Sequence, residues 1–261
     1  MSNQELILYN VKGHIATITI NRPDKANACN VTMLKLIYED LMKADQDENV
    51  KCLLLKSTGQ RFFSAGYDIK EIQGSPEVVS LITEWGRKIN QTIILMKKPI
   101  VAQVQGIAIG FGAMVIMACD LKIFADRSKE DLYLRLPEIA IQAFPQTGAT
   151  ILPLLSFGLN YAKNLLYTTD KVGIEELKNI NFPTRIFPLD RLETETLSFV
   201  KQLSRYQTEF LFFIKSMLTI MNKVYIKSCF DLEDECGDFV NKKKSMKELD
   251  EFIKNLHNKY S

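Results

Sequence analysis

Histidine is scarce in this 261-residue chain: it has two, His14 and His257, near opposite ends. Neither has a cysteine or acidic partner at ligand spacing, so both read as ordinary surface or structural residues, not as a metal site or catalytic pair. Cysteine is sparse as well. The five (Cys29, Cys52, Cys119, Cys229 and Cys236) are odd in number and scattered, with no CxxC spacing. That pattern supports neither a disulfide framework nor a zinc site, and it fits a reducing, cytoplasmic setting. An unbroken apolar run is also missing. The most apolar stretch, Pro99 to Cys119, is interrupted by Gln103, Gln105, Gly106, Gly110 and Gly112, which suits two buried segments better than a membrane span. Charge of one sign is not in excess. A net charge of +2 gives no reason to expect a nucleic-acid or membrane-surface partner. The opening MSNQELILYN has no cationic start followed by an apolar run, so no secretory signal is expected.

What is present is ordinary globular material, 46% hydrophobic and 25% charged. His14 to Ile20 is rich in β-branched residues and ends at the turn Asn21-Arg22-Pro23-Asp24, as a strand would. After Asn30, a candidate N-cap, Leu34, Ile37, Tyr38, Leu41 and Met42 recur at helical spacing. Cys52 to Lys56 reads as a buried strand. Trp85, Ile89, Thr92, Ile93 and Met96 form a helix face stopped at Lys98-Pro99. Ile100–Val104 (strand), Phe111–Cys119 (helix) and Leu121–Ala125 (strand) follow. This alternation predicts an α/β core over residues 1–190. Beyond it, residues 191–261 form a helical C-terminal region, with Leu189 to Ile220 and Phe230 to Leu256 helix-like and highly charged. Such a region often serves oligomerisation or lids a site.

Three segments could carry chemistry. Phe63 to Glu71 contains Ala65, Gly66, Tyr67, Asp68 and Ile69; small residues there let a turn approach a ligand and aim N–H groups at an anion. Its plain alternative is a strand-to-helix turn. Gln105 to Met114 places three glycines within seven residues at the start of an apolar helix, so it exposes N–H donors or packs a helix closely on a sheet. It is not a GxGxxG fingerprint and no P-loop lysine follows. Leu136 to Ile141 sets Glu138 among apolar residues, either as a rim carboxylate or as a base whose pKa burial would raise. Together they suggest two main-chain amides that hold a thioester oxygen, and a carboxylate that moves a proton at the neighbouring carbon.

At this point the chain resembles the enoyl-CoA hydratase/isomerase (crotonase) superfamily along most of its length. Asn21 to Ala28 resembles the family's N-R-P-x-K-x-N-A loop, and Phe63 to Glu71 its F-[SA]-A-G-x-D-[IL]-x-E motif. Gly106 to Asp120 resembles its glycine-rich G-x-A-x-G-G-G…CD segment. Leu136 to Thr150 resembles P-E-x-x-x-G-x-x-P-x-x-G-G-T, and Lys244 to Asn255 the C-terminal helix. The resemblance implies a spiral of ββα units with a helical trimerisation region, assembled as trimers or hexamers. It also implies an acyl-CoA substrate and no metal or redox cofactor, coenzyme A being part of the substrate. By position, the N–H groups of Tyr67 and Phe111 would form the oxyanion hole and Glu138 would be the catalytic acid–base group. Lys25, Ala26, Ala65, Gly66, Asp68, Ile69, Gly110 and Met114 would line the substrate site, Ala65 and Ile69 along the CoA and Lys25 near its phosphates.

The departures from the family pattern narrow the reaction. Hydratases carry two glutamates that hold and activate water; here the second is Glu138, while Met114 replaces the first. Phe111 replaces the second glycine of G-G-G, Gln142 stands where glycine is usual, and G-G-T has become Gly148-Ala149-Thr150. One carboxylate suffices for a 1,3-proton shift, so the expected activity is isomerisation of a 3-enoyl-CoA to the 2-trans-enoyl-CoA. The rivals are a 2-enoyl-CoA hydratase or another crotonase-type lyase or hydrolase that draws a second acid from Glu84, Glu71 or Asp68, and a non-catalytic acyl-CoA-binding paralogue.

Overall fold

The computed structural model describes residues 5–72, 75–242 and 245–260. Its strands, in chain order, are β1 (Ile7–Lys12), β2 (Ile15–Ile20), β3 (Cys52–Ser57), β4 (Phe62–Ser64), β5 (Ile100–Val104), β6 (Ile107–Ile109), β7 (Leu121–Asp126), β8 (Tyr133–Arg135), β9 (Val172–Gly173) and β10 (Arg185–Pro188). The helices of the core are α1 (Val31–Gln46), α2 (Ile69–Ile72), α3 (Pro76–Leu95), α4 (Phe111–Ala118), α5 (Ile151–Thr168) and α6 (Ile174–Asn179). The chain closes with α7 (Leu192–Leu203), α8 (Thr208–Ile220), α9 (Lys223–Asn241) and α10 (Met246–Tyr260).

Two sheets organise these elements. A six-stranded sheet has the order β1-β2-β3-β5-β7-β10, and a four-stranded sheet has the order β4-β6-β8-β9. After the antiparallel β1–β2 hairpin, the chain repeats one move. It places a strand in the large sheet (β3, β5, β7), then a strand in the small one (β4, β6, β8), then a helix (α3, α4, α5). Every pairing within these two series is parallel. The result is two sheets wound as a spiral of ββα units, the fold that the resemblance implies. Because helices cover the sheet, β5 is buried at all five positions and its sequence is a near-continuous apolar run instead of an alternation.

Local chemistry explains the elements read from sequence. Asn30 does cap α1, its side chain accepting the Met33 N–H at 2.9 Å. Leu34, Ile37 and Leu41 point into the core. The α4 helix is buried at all eight positions, which accounts for its uniform apolarity. The structure refines the C-terminal reading: the first run is two helices, α7 and α8, parted at Ser204–Gln207, and the second is divided between α9, which starts earlier at Lys223, and α10. The family-like C-terminal segment begins at Lys244, which lies outside the described residues; its helix runs from Met246. Among the described residues no helix is long and apolar enough to cross a membrane.

Candidate active site

The site is built first from backbone. Asn27, 1% exposed, takes the Arg22 N–H and donates to the carbonyls of Thr58 and Phe62. It thereby pins the Arg22–Asn30 loop beside β4. Ser64 Oγ ties the same parts together, donating to the Asn27 carbonyl and accepting the Gly66 N–H. Three main-chain bonds follow: Ala65 N to Ala26 O (2.9 Å), Cys29 N to Gly66 O (2.8 Å) and Asp68 N to Cys29 O (2.9 Å). They use the amides on both sides of Tyr67, and the Tyr67 N–H has no hydrogen-bond partner among the described residues.

A second turn meets this one. Gly110 donates its N–H to Arg135 O (2.8 Å) and has a φ of +52°, so that Phe111 begins α4 with an N–H the helix does not use. Gly66, at φ +89°, lets the two turns touch: a Cβ there would lie 2.7 Å from Ile109 O and 3.4 Å from Phe111 N. The amides of Tyr67 and Phe111 are therefore neighbours contributed by separate loops.

Glu138 stands over the second turn. It opens a 3-10 turn (Glu138–Ile141) that ends at Gln142 in the left-handed region, φ 58°, which is why the family favours glycine there. Its Oε1 would be 3.3 Å from a Cβ placed on Gly110. Its Oε2 is fully buried with no hydrogen-bond partner. Burial pushes the carboxyl up to about 7; its own backbone N–H opposes this, and the negative charge of Glu233 adds to it. Beside Glu138 opens a cavity of about 170 Å³ lined by Ile139, Pro145, Thr150, Lys163, Leu166 and Tyr167. A larger surface cleft of about 560 Å³ lies by Lys129, Arg135 and Glu176. There Lys129 pairs with Glu176 and holds its carboxyl below the usual range.

The opposite wall is packed solid. Met114 is 2% exposed, and its Sδ accepts the Thr147 hydroxyl at 3.4 Å. Thr147 Oγ1 in turn accepts the Tyr67 hydroxyl at 3.0 Å. The Tyr67 and Phe111 rings stack with centroids 4.8 Å apart and 17° between planes. Gly86 on α3 makes room for the phenol: a Cβ there would fall 1.9 Å from Tyr67 Oη. Asn90, also on α3 and fully buried, donates to the Thr147 carbonyl at 2.8 Å.

The structure brings Gly66, Tyr67, Gly110, Phe111, Met114 and Glu138 to one place. The remaining site residues of the sequence reading lie toward the outside. Lys25 is exposed on the turn Pro23–Lys25, Ala26 and Ala65 are half-buried, and Ile69 is 53% exposed. The possible second acids are engaged elsewhere. Burial opposes ionisation of Asp68, but the Arg22 guanidinium at 2.7 Å outweighs it and holds the carboxyl below its ordinary value. Glu71 accepts the Val31 N–H at the start of α1, and Glu84 pairs with Lys88 on the exposed side of α3. Sequence reasoning missed the side chains of Tyr67 and Thr147, Gly86, Asn90 and, from α9, Glu233. None lies in a chemically suggestive pattern; only the turn Thr147-Gly148 hinted at a constrained backbone.

A sequence model described as enoyl-CoA hydratase/isomerase matches residues 10–260. The chain is 35% identical over 179 residues to YngF of Bacillus subtilis (strain 168), provisionally named an enoyl-CoA hydratase/isomerase, across 67% of this chain and 66% of that one. It is 32% identical to the crotonyl-CoA hydratase of Syntrophomonas wolfei (73% and 72% covered). It is 28% identical to the trans-2-decenoyl-[acyl-carrier-protein] isomerase of Streptococcus mutans (81% of each). Among solved structures, an enoyl-CoA hydratase from Bacillus halodurans superposes with a TM-score of 0.80 at 18% identity, covering 88% of this chain and 93% of that one. DspI of Pseudomonas aeruginosa gives 0.78 at 20% identity, covering 98% and 96%. Five motifs in order, a ββα spiral and a match along nearly the whole chain place this protein in the enoyl-CoA hydratase/isomerase family.

Proposed function

We propose that this family member isomerises 3-enoyl thioesters, in the first instance 3-enoyl-CoA, to the 2-trans isomers, with Glu138 as a single-base shuttle. One observation carries the reading: among the described residues the one unengaged carboxylate at the two turns is Glu138, its pKa raised by burial to about 7, while the facing wall offers Met114. In the reaction Glu138 takes a proton from C2. The C–H electron pair forms the C1–C2 double bond, and charge moves onto the thioester oxygen, held by the N–H groups of Tyr67 and Phe111. The protonated Glu138 then gives its proton to C4. The C3–C4 π pair forms the new C4–H bond, the C1–C2 pair moves to C2–C3, an oxygen lone pair re-forms the carbonyl, and the base is regenerated. A pKa near 7 suits a group that must both accept and donate.

Ala26, Ala65, Gly66, Asp68 and Ile69 frame the path of the CoA, with exposed Lys25 toward its phosphates, and the cavity beside Glu138 receives the acyl tail. The isomerase name of the Streptococcus mutans relative supports the reaction and adds an acyl-carrier-protein thioester as a second carrier. Relatives named as hydratases favour hydration as the alternative. The exposed apolar side chains of α8 and the start of α9, Phe213, Met217, Leu218, Met221 and Val224 (63–84% exposed), fit a trimer or hexamer of this chain, which sedimentation would read.

The test is a paired assay of 3-hexenoyl-CoA isomerisation and crotonyl-CoA hydration. Isomerisation should dominate. Efficient hydration with negligible isomerisation would reverse the assignment, and binding of both thioesters without turnover would leave a binding protein.

A further inference from the structure

The C-terminal helices supply a buried acid that neither the motifs nor the proposed reaction uses. Glu233 on α9 is 4% exposed and has no cationic partner among its contacts. Its Oε2 accepts the Gly148 N–H at 2.6 Å. Its Oε1 accepts the Thr150 N–H at 2.8 Å and the Thr150 hydroxyl as well. Those donors belong to the turn that leads into α5, so a carboxylate from a distant helix caps that helix. The same turn is gripped from two other directions: Asn90 of α3 holds the Thr147 carbonyl, and Tyr67 holds the Thr147 hydroxyl. Thr147 and Gly148 both sit in left-handed backbone, φ 65° and 100°, a conformation that needs such external restraint.

This turn is a wall of the site. Thr150 lines the Glu138 cavity and Thr147 touches Met114. The helix that bears Glu233 is itself fastened to α3: Arg87 pairs with both Asp231 and Asp234, two residues before and one beyond Glu233. Three elements that are far apart in sequence thus converge on residues 147–150.

We infer that Glu233 is a positioning residue of the active site, holding the 147–150 turn in the geometry against which Glu138 works. This rests on the reading of Glu138 as the base. A cap for α5 alone would need no buried anion, since a neutral serine or threonine side chain serves as well at an N-terminus. Burial pushes the Glu233 carboxyl up and the bonds from Thr150 and Gly148 oppose that; an ionised acceptor there makes stronger bonds to three converging donors than a neutral one, and its negative charge adds to the rise that burial imposes on Glu138. Facing Glu138 are Glu233 from α9, the Tyr67 phenol and Lys163 across the cavity, so Glu233 brings the like charge.

Glu233→Gln and Glu233→Asp are compared with wild type by turnover of 3-hexenoyl-CoA, by thermal unfolding, and by NMR titration of the ¹³C-labelled Glu138 carboxyl. In Glu233→Gln an amide N–H₂ confronts backbone donors. Turnover should fall roughly tenfold and the Glu138 midpoint should drop by about half a unit as the like charge is lost. Glu233→Asp keeps the charge on a shorter stem; its midpoint should stay near wild type while turnover is intermediate, and it serves if the glutamine variant does not fold. An unmoved midpoint in Glu233→Gln overturns the inference, whether turnover is retained or falls with the melting temperature, as does a moved midpoint with full turnover. In Glu233→Asp, turnover equal to wild type overturns it. Because the titration needs no catalysis, a shifted midpoint in a protein that isomerises nothing sustains the strut and rejects the isomerase reading.

Discussion

The two walls of the site differ in kind. The wall of α4 is core: Phe111, Met114 and Thr147 are each at most 2% exposed, and the space near Met114 is occupied by the Tyr67 ring and hydroxyl. The wall of the Glu138 turn is open. Ile139 and Ile141 are 46% and 56% exposed, a cavity lies alongside, and one carboxylate oxygen is buried without a partner. A hydratase needs polar groups on both walls to hold water. Here one wall is packed and the other carries a single carboxylate, the arrangement that the proposed single-base proton shift calls for.

The strongest way to break this comparison is at Glu138. Glu138→Gln keeps the shape and removes the base, so 3-hexenoyl-CoA isomerisation should fall by on the order of 10²–10⁴-fold. Steady-state kinetics checks this, and near-wild-type turnover would remove Glu138 from the mechanism.

The pH profile separates the acids next. Glu138 is raised to about 7 and must be ionised to accept the C2 proton. The kcat/KM for 3-hexenoyl-CoA should therefore be flat above that value and fall about tenfold per unit below it. Asp68, held low by Arg22, should add no limb in that range. A profile flat down to pH 5 would contradict the assignment.

On the packed wall, Met114→Glu restores the family's first glutamate into a space that has no partner for it. We expect a destabilisation of roughly 1–3 kcal/mol, seen by chemical denaturation. We also expect no more than a few-fold rise in crotonyl-CoA hydration, because Tyr67 and Thr147 occupy the space a water would need. Efficient hydration would show that wall to be more open than its packing implies. Smallest is Tyr67→Phe, which deletes the hydroxyl bonded to Thr147 but leaves the ring stack and the N–H. It should cost about 1 kcal/mol of stability and change turnover less than threefold.

Long, periodic elements were legible in sequence. The Asn30 cap with Leu34, Ile37 and Leu41 behind it, and the buried runs at Cys52 and Ile100, follow from local pattern. The small sheet was not. Its strands β4, β6 and β8 are three residues each, too short to show a period, and they exist because parallel partners lie 26 to 45 residues away. The site divides the same way. Glu138 and the glycine turns could be singled out because carboxylates among apolar residues and clustered glycines are unusual locally. Glu233 sits in Asp231-Leu232-Glu233-Asp234-Glu235, where it resembles its solvated neighbours. Only the packing of α9 on the 147–150 turn distinguishes it.

The most direct measurement follows a single hydrogen. 3-Hexenoyl-CoA deuterated at C2 is converted in ordinary water, and the product is read by NMR and mass spectrometry. A lone glutamate with a buried carboxylate oxygen carries part of the deuterium to C4 of a 2-trans product. Complete loss of label to solvent, together with a 3-hydroxyacyl product, would mean that water is activated here and that the single-base account is wrong.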